Sequence, residues 1–552
     1  MAAVHAVLAV GTLRQKSVTV DEFGHLPVGY NVLTTRDFAY CEFNPPLMNV
    51  LNAVPLLFMH PRDRGEAVVP SEPDLKYSLW GNGYVFMARF EADYHRLFVS
   101  ARCMTVAVSV LLGVVVFVWA GQRSPRRPAL AGLLAAGLVW YSPNMLAHAG
   151  LVTTDIGAAA FLTLAAFTFY RYLGRPVWRR AILAGTALGA AQLVKFSAIY
   201  LYPVLLAAAI YAQVRRRAIP WSRWAMHGLC IVAVSIVVIN AGYLFQGTGR
   251  ALGSMPVRSD ALRWLQGALP YRTPVPLPQA IVLAFDRQLE VAKVGGPSFL
   301  FGKTYPGGRW YYFLALLAIK TPIPLLVIAL AGLMVAVRRG GWPSAGGLLL
   351  LGLAGTLLAA FSLLSNEHVG LRLIMPAAPL FWVWAAGTLA EAAGQRWHRV
   401  GIAALAAWTG LEAVRAYPDY LAYFNSFVGG SSRGYLYAAD SNVDWGQDLI
   451  GVKRYMDAND IDCIQLLYFG RVAPEVYGIR YEVPPPSGFR PGYAAVSVTL
   501  LALPYILYDH GTLIETLRPT RIDQAVTGPP VARIGCSILV FRVPDSAGPA
   551  PF

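Results

Sequence analysis

Charge is what this 552-residue chain has least of: Asp, Glu, Lys and Arg make up 14% of it, against 56% hydrophobic residues. Soluble globular chains carry about 25% charged residues, so the scarcity excludes that class and indicates an integral membrane protein. Cysteine is also sparse. The five cysteines, Cys41, Cys103, Cys230, Cys463 and Cys536, stand singly without CxxC or CxxH spacing, which excludes a zinc cluster. Cys463 and Cys536 share the C-terminal region, where one disulfide is open to them in an oxidising compartment. Acidic residues are outnumbered 30 to 46 by basic ones, a net charge of +16. The excess lies in short arginine loops between apolar runs, as membrane topology requires, so nucleic acid is excluded as a partner. No internal repeat or low-complexity segment is present.

What the chain has is apolar runs of membrane-spanning length. They predict transmembrane helices near 97–120, 129–147, 150–172, 181–195, 196–214, 225–245, 310–337, 345–364, 370–390 and 400–417. The segment MAAVHAVLAVGTL, residues 1–13, would be one more. Thirteen helical residues rise only about 20 Å, so this span is expected to be clipped, with its start upstream, or to be tilted into protein. It lacks the basic leading region of a signal peptide. The fold class is therefore a polytopic α-helical membrane protein with about 10–11 transmembrane helices.

Loop charge sets the orientation. GQRSPRRP (121–128), RYLGRPVWRR (171–180), VRRRAIPWSRW (214–224), VRRGG (337–341) and QRWHR (395–399) are each rich in arginine. They alternate with the loop 14–96, the turns near 148–155 and at Lys195, the loop 246–309, the turn 365–369 and the tail after 417. The first set is expected in the cytoplasm and the second outside. The tail 418–552, with short interrupted apolar stretches and a helical pattern over 445–459, reads as a small extracytoplasmic α/β domain following a transmembrane domain of residues 1–417.

On the outer side sit the unusual polar residues. Asp21, Glu22 and His25 open the first outer loop, and Arg102 lies just inside the next span. Thr153, Thr154 and Asp155 end an apolar helix, Lys195 separates two apolar runs, and Lys303 and Arg309 stand among aromatics. Glu367, His368 and Arg372 begin a later span. Pro45 and Pro46 precede an apolar run suited to a helix lying in the interface. Singly each has a plain reading: an ion pair such as Asp155 with Lys195, a snorkelling cation, a solvated loop residue. Ionisable groups at membrane depth usually face a cavity or partner, and here they converge on one face from six segments. Carboxylates plus cations suit a substrate carrying a sugar and a phosphate. The acidic trio Asp440, Asp444 and Asp448 would share a face if helical, but lacks the glycine and terminal glutamate of a calcium loop.

The ordered phrases DEFGHLPVGY, NPPL, LVTTD, LVKFSAIYLYP, FLFGKTYPGGRWYYF, KTPIP, HVGLRLIMPAAP and DSNVDWGQDL resemble bacterial glycosyltransferases of the C-type fold. The resemblance is to the phospholipid-carrier-dependent group akin to protein O-mannosyltransferases and the aminoarabinose transferase. It implies transfer of a sugar from a polyprenyl-phosphate carrier to an acceptor protein, lipid or glycan at the outer face of the bacterial cytoplasmic membrane, with inversion. By the same resemblance Asp21 is the general base, Glu22 its helper, and Asp155 a second carboxylate. Arg372 grips the carrier phosphate, with Lys195 and Arg102 behind it. Lys303 and His368 join the expected substrate-binding set through their place on the outer face. A divalent metal on Asp21 and Asp155 is compatible with the family but not required by it. The competing class is a transporter or flippase of a lipid-linked sugar, which tends to show paired halves and midplane sites, neither evident here.

Overall fold

The computed structural model describes residues 1–65, 78–340, 344–485, 488–503, 506–509, 512–516 and 529–544. The middle of the loop 14–96, the end of the VRRGG loop and much of the tail beyond 503 lie outside the described residues. A helix stands at each expected span. Among the described residues five are long and apolar enough to cross a membrane: Glu91–Arg123, Asp155–Gly174, Phe196–Arg216, Trp221–Gly242 and Ala345–Leu363. Two bent pairs, Pro128–Trp140 with Pro143–Ala149 and Tyr312–Lys320 with Ile323–Arg339, raise the number to seven. The chain is thus a multi-pass membrane protein with fewer full-length spans than the 10–11 expected. The shortfall has physical causes. Trp178–Gln192 and Ala377–Ala392 have 15 and 16 residues, rising only about 23 Å. Arg396–Arg415 is long enough, but Arg396, Arg399, Glu412 and Arg415 make it too polar.

Proline starts several of these helices at the first turn, where a missing N–H costs nothing. Small residues then let them close up. On Trp178–Gln192, a Cβ at Gly185 or Gly189 would lie 2.7 Å from the backbone oxygen of Ile231 or Ser235. That four-residue spacing of glycines seats the helix against Trp221–Gly242. The largest apolar cluster, including Trp119, Leu134, Ile156, Leu188, Leu349 and Val383, fills the space between the spans.

The first helix, Ala2–Leu13, is wedged against this bundle. Its buried His5 reaches the Trp140 carbonyl at 2.8 Å and the Ser109 hydroxyl at 2.9 Å. The run after Pro45 and Pro46 forms a short helix, Leu47–Ala53, and a 3-10 turn whose Leu57 and Phe58 are exposed.

A hairpin in the loop 246–309 pairs β1 (Ser298–Leu300) with β2 (Lys303–Tyr305). The tail carries β3 (Ile464–Leu467), β4 (Tyr481–Glu482), β5 (Gly492–Ser497), β6 (Ile506–Asp509), β7 (Thr512–Thr516), β8 (Ala532–Ile534) and β9 (Ile538–Val543). Strands β6 and β7 pair with each other, and the others form a five-stranded sheet, order β4-β3-β5-β9-β8. Strand β3 runs parallel to β4 and β5, while β9 is antiparallel to β5 and β8. Alternation puts Leu466, Ala495 and Val540 under the helix Leu449–Ala458. Leu467, Val496 and Leu539 face the other way, toward Tyr312, Phe313 and Phe424. All five cysteines are free thiols, Cys463 and Cys536 included.

The helical pattern expected over 445–459 is shorter than read. Asp440–Asn442 is a 3-10 turn, and the helix starts only at Leu449, with Asp448 as its N-cap. Asp440, Asp444 and Asp448 therefore do not share a helical face.

Candidate active site

Four of the expected residues meet. Asp21 is the second residue of the helix Val20–Thr35, which begins at a capping box: Thr19 and Glu22 bond each other's backbone. Its Oδ2 accepts from Arg372 Nη1 at 2.7 Å. The same Arg372 nitrogen is 3.9 Å from Asp155 Oδ2, and Lys195 Nζ donates to Asp155 Oδ1 at 2.6 Å. Asp155 opens the helix Asp155–Gly174, where a carboxylate complements the helix dipole. Lys195 sits in extended backbone between two helices. The result is a chain of alternating charge, Asp21, Arg372, Asp155, Lys195, drawn from four segments.

Arg372 is held from the tail side. Its Nε donates to Ser441 Oγ at 3.2 Å, and its guanidinium lies 4.3 Å from the centre of the Trp445 ring. Gly370 permits this approach, because a Cβ there would stand 2.2 Å from Ser441 Oγ. The segment 440–445 thus packs directly on the site.

His25 is buried beside the same charges, with Nδ1 lacking a partner. Burial pushes its pKa down, although Asp21 and Asp155 pull the other way. Glu367 faces the cluster as well. Burial raises its carboxyl, against the pull of Arg372 and Lys195.

Glu22 and Arg102 behave differently and correct the expectation that they handle substrate. Arg102 spends all five of its N–H donors inside the protein: Nε and Nη2 on Glu22 at 2.7 Å each, the rest on the carbonyls of Leu13, Lys16 and Ser17. Glu22 also accepts from Thr19 and from the Val152 N–H. Burial works to raise the Glu22 carboxyl, but the Arg102 guanidinium outweighs it and the net shift is downward. Neither group has capacity left for a ligand. His368 is committed too: Nδ1 accepts from the Arg309 N–H at 2.8 Å, Nε2 meets the Phe361 carbonyl at 3.0 Å, and the ring stacks on Tyr312. Lys303 is exposed on the hairpin strand β2 (Lys303–Tyr305).

The sequence reading missed three contributors. His148 Nδ1 lies 3.6 Å from Asp155. Trp445 supplies the ring under Arg372. Lys320, in the phrase KTPIP, ends the helix Tyr312–Lys320 at a 116° bend and is buried. Its Nζ donates to the carbonyls of Leu421, Tyr423 and Asn442, at 3.0, 3.1 and 2.5 Å. A lone lysine inside an apolar run was the available signal.

A cavity of about 410 Å³ opens beside this cluster. Its walls are mostly apolar, with Leu325, Leu358, Met375 and Phe381 among them, and Arg372, His148 and Lys320 are its charged or ionisable members. An apolar cleft with the Arg372 guanidinium in its wall accommodates a molecule with a hydrocarbon body and an anionic head. As for metal, the described residues contain no group of three His, Cys, Asp or Glu side chains able to hold an ion. The position between Asp21 and Asp155 is taken by the Arg372 guanidinium, so the donor set does not fit a metal.

Comparison with known proteins gives a sequence match and several structural ones. No curated protein matches the chain. Structurally it overlaps ArnT from Cupriavidus metallidurans in the apo state over 99% of this chain and 98% of that one, at TM-score 0.49 and 14% identity. It overlaps the same protein bound to undecaprenyl phosphate over 100% and 98%, at 0.47 and 14%. It overlaps the apo Archaeoglobus fulgidus oligosaccharyltransferase over 91% and 69%, at 0.48 and 13%. Residues 94–242 match the family model described as dolichyl-phosphate-mannose-protein mannosyltransferase. That stretch contains Asp155 and Lys195, and over it the chain is similar to protein O-mannosyltransferases, in line with the resemblance drawn from the ordered motifs.

Proposed function

We propose that this enzyme transfers a sugar from a polyprenyl-phosphate carrier to a hydroxyl of an acceptor protein, lipid or glycan, with inversion and with Asp21 as base. The observation that carries this reading is Arg372, bonded to Asp21 at the edge of an apolar cavity. The cavity suits a polyprenyl chain, and the family's description supports a polyprenyl-phosphate sugar as donor.

In the proposed step the carrier phosphate takes up Arg372, with Lys195 adding a second positive charge through Asp155. Asp21, relieved of its guanidinium, accepts the proton of the acceptor hydroxyl. The acceptor oxygen bonds to the anomeric carbon as the carbon–oxygen bond to phosphate breaks, and the electron pair leaves on the phosphate. Arginine neutralises that charge as it develops. Asp155 orients Arg372 and Lys195. The bundle 1–417 supplies the charged cluster, and the unit 418–552 closes over it through Ser441 and Trp445. By the loop-charge argument the site faces the exterior of a bacterial cytoplasmic membrane.

Reconstituted protein, a polyprenyl-phosphate sugar and a hydroxyl acceptor test the reading. Wild type releases carrier phosphate only with acceptor present, and Asp21→Asn does not while still binding carrier. Unchanged transfer by Asp21→Asn overturns the base assignment. Carrier movement across vesicles without acceptor overturns the enzyme reading in favour of a transporter.

A further inference from the structure

The other end of the helix that carries Asp155 holds a second set of cations. Arg171 lies 16 residues along Asp155–Gly174, about 24 Å from Asp155 by helical rise. There the hairpin into Trp178–Gln192 forms a pocket of about 610 Å³, lined by Arg171, Arg175, Arg179 and Arg180 together with Trp178 and Leu183. Among the described residues none of the four arginines has a carboxylate within 4.0 Å. Arg180 instead donates to the Arg171 carbonyl at 2.6 Å, and Arg171 lies over the Phe167 ring.

Loop charge alone explains why arginines gather on this side, but not why four converge on one concavity without an acid. The neighbouring arginine loop shows the contrast. There Glu391 accepts from Ser124 Oγ and the Arg126 N–H, and lies 4.0 Å from the Arg126 side chain. Among the described residues the hairpin pocket has no such counter-ion. Its apolar lining residues Trp178 and Leu183 are 43% and 57% accessible, and Ile182 beside them is 46% accessible. Trp178 and Ile182 are one turn apart on the same face.

We propose that this pocket binds an anionic phospholipid of the bilayer. The phosphodiester sits among the arginines, which meet phosphate oxygens with paired N–H donors. The acyl chains run along Trp178, Ile182 and Leu183. Basic pockets between transmembrane helices recognise lipid headgroups in this way. The site is separate from the reaction centre and does not depend on the proposed chemistry.

The full chain, reconstituted in vesicles of phosphatidylcholine and phosphatidylglycerol, is extracted in mild detergent and its retained lipid quantified by mass spectrometry. Wild type is expected to retain phosphatidylglycerol over phosphatidylcholine, and the double variant Arg175→Gln, Arg179→Gln roughly tenfold less. The Arg175→Lys, Arg179→Lys pair controls for folding and is expected to keep part of the lipid. Arg126→Gln, on the loop that has its own acid, is expected to keep all of it. Equal retention by the Gln double variant overturns the proposal. So does an equal loss in Arg126→Gln, which would mean diffuse attraction, and so does displacement of the lipid by millimolar inorganic phosphate, which would mean a free-anion site.

Discussion

Asp21 and Glu22 are neighbours in sequence, yet the protein uses them in opposite ways. Successive helical residues point about 100° apart, so one carboxylate meets Arg372, which lines the cavity, and the other turns into the packed interior. Glu22 is locked with Arg102, each 0% exposed, with every donor of the arginine answered. Asp21 shares Arg372 with Asp155, and its side chain is 20% exposed. A saturated pair holds three segments together and has nothing to offer a ligand. An unsaturated pair beside a cleft can exchange its partner.

Four substitutions break or sharpen that contrast. The largest effect belongs to Asp21→Asn, which is expected to lower transfer by about 10²–10⁴-fold, the range for loss of a general base. Carrier phosphate should bind Asp21→Asn at least as tightly as wild type, because Arg372 no longer answers to a carboxylate. Parallel loss of carrier binding and transfer would erase the distinction between the two pairs. Next, Arg102→Met should cost about 3–5 kcal/mol of stability by leaving Glu22 buried and unpaired. Thermal unfolding reads this, and activity per folded molecule should persist. A stable but inactive Arg102→Met would instead return Arg102 to the substrate.

Arg372→Lys keeps the charge and loses the paired donors, so KM for the carrier should rise about tenfold with little change in melting temperature. The last substitution concerns Asp444, a buried carboxylate with no cation within 4.0 Å among the described residues. Burial pushes its pKa up to about 8, although the N–H groups of Gly446 and Thr499 oppose this. The folded state then binds this proton more tightly than the unfolded chain, so Asp444 lowers stability as pH rises from about 4 to about 8. Asp444→Asn should flatten that slope and melt higher than wild type at pH 8, with little difference at pH 4. An unchanged slope would place the pH dependence elsewhere.

The convergence of Asp21, Asp155, Lys195 and Arg372 was legible in the sequence. Charge in an apolar chain is rare enough that its position carries meaning, and alternating loops assign each residue a side. What was not legible depends on distant partners. Glu22 meets Arg102 across 80 positions, and no local pattern announces that all five donors are taken. Lys320 acts through three backbone carbonyls, which have no signature in side-chain type. The acidic trio misled because four-residue spacing means a shared face only inside a helix, and Asp440, at φ 57°, starts a turn instead. Each span has a helix, but its length depends on bends such as the one after Lys320, where the Thr-Pro-Ile-Pro sequence breaks the run.

The stretch ahead of Asp21 is stitched to residues made more than 400 positions later. The Ser17 N–H bonds the Gln447 carbonyl, the Val20 N–H bonds the Trp445 carbonyl, and Lys16 bridges Asp419 and Asp448. Order of synthesis then becomes part of the design. While the bundle inserts, the segment that leads into Asp21 waits without the loop 445–448 that ties it down, and the charged cluster is complete only once residues near 450 have left the ribosome. A prematurely ended chain that has already entered the membrane therefore lacks the contacts that hold Asp21 and Arg372 from the tail side.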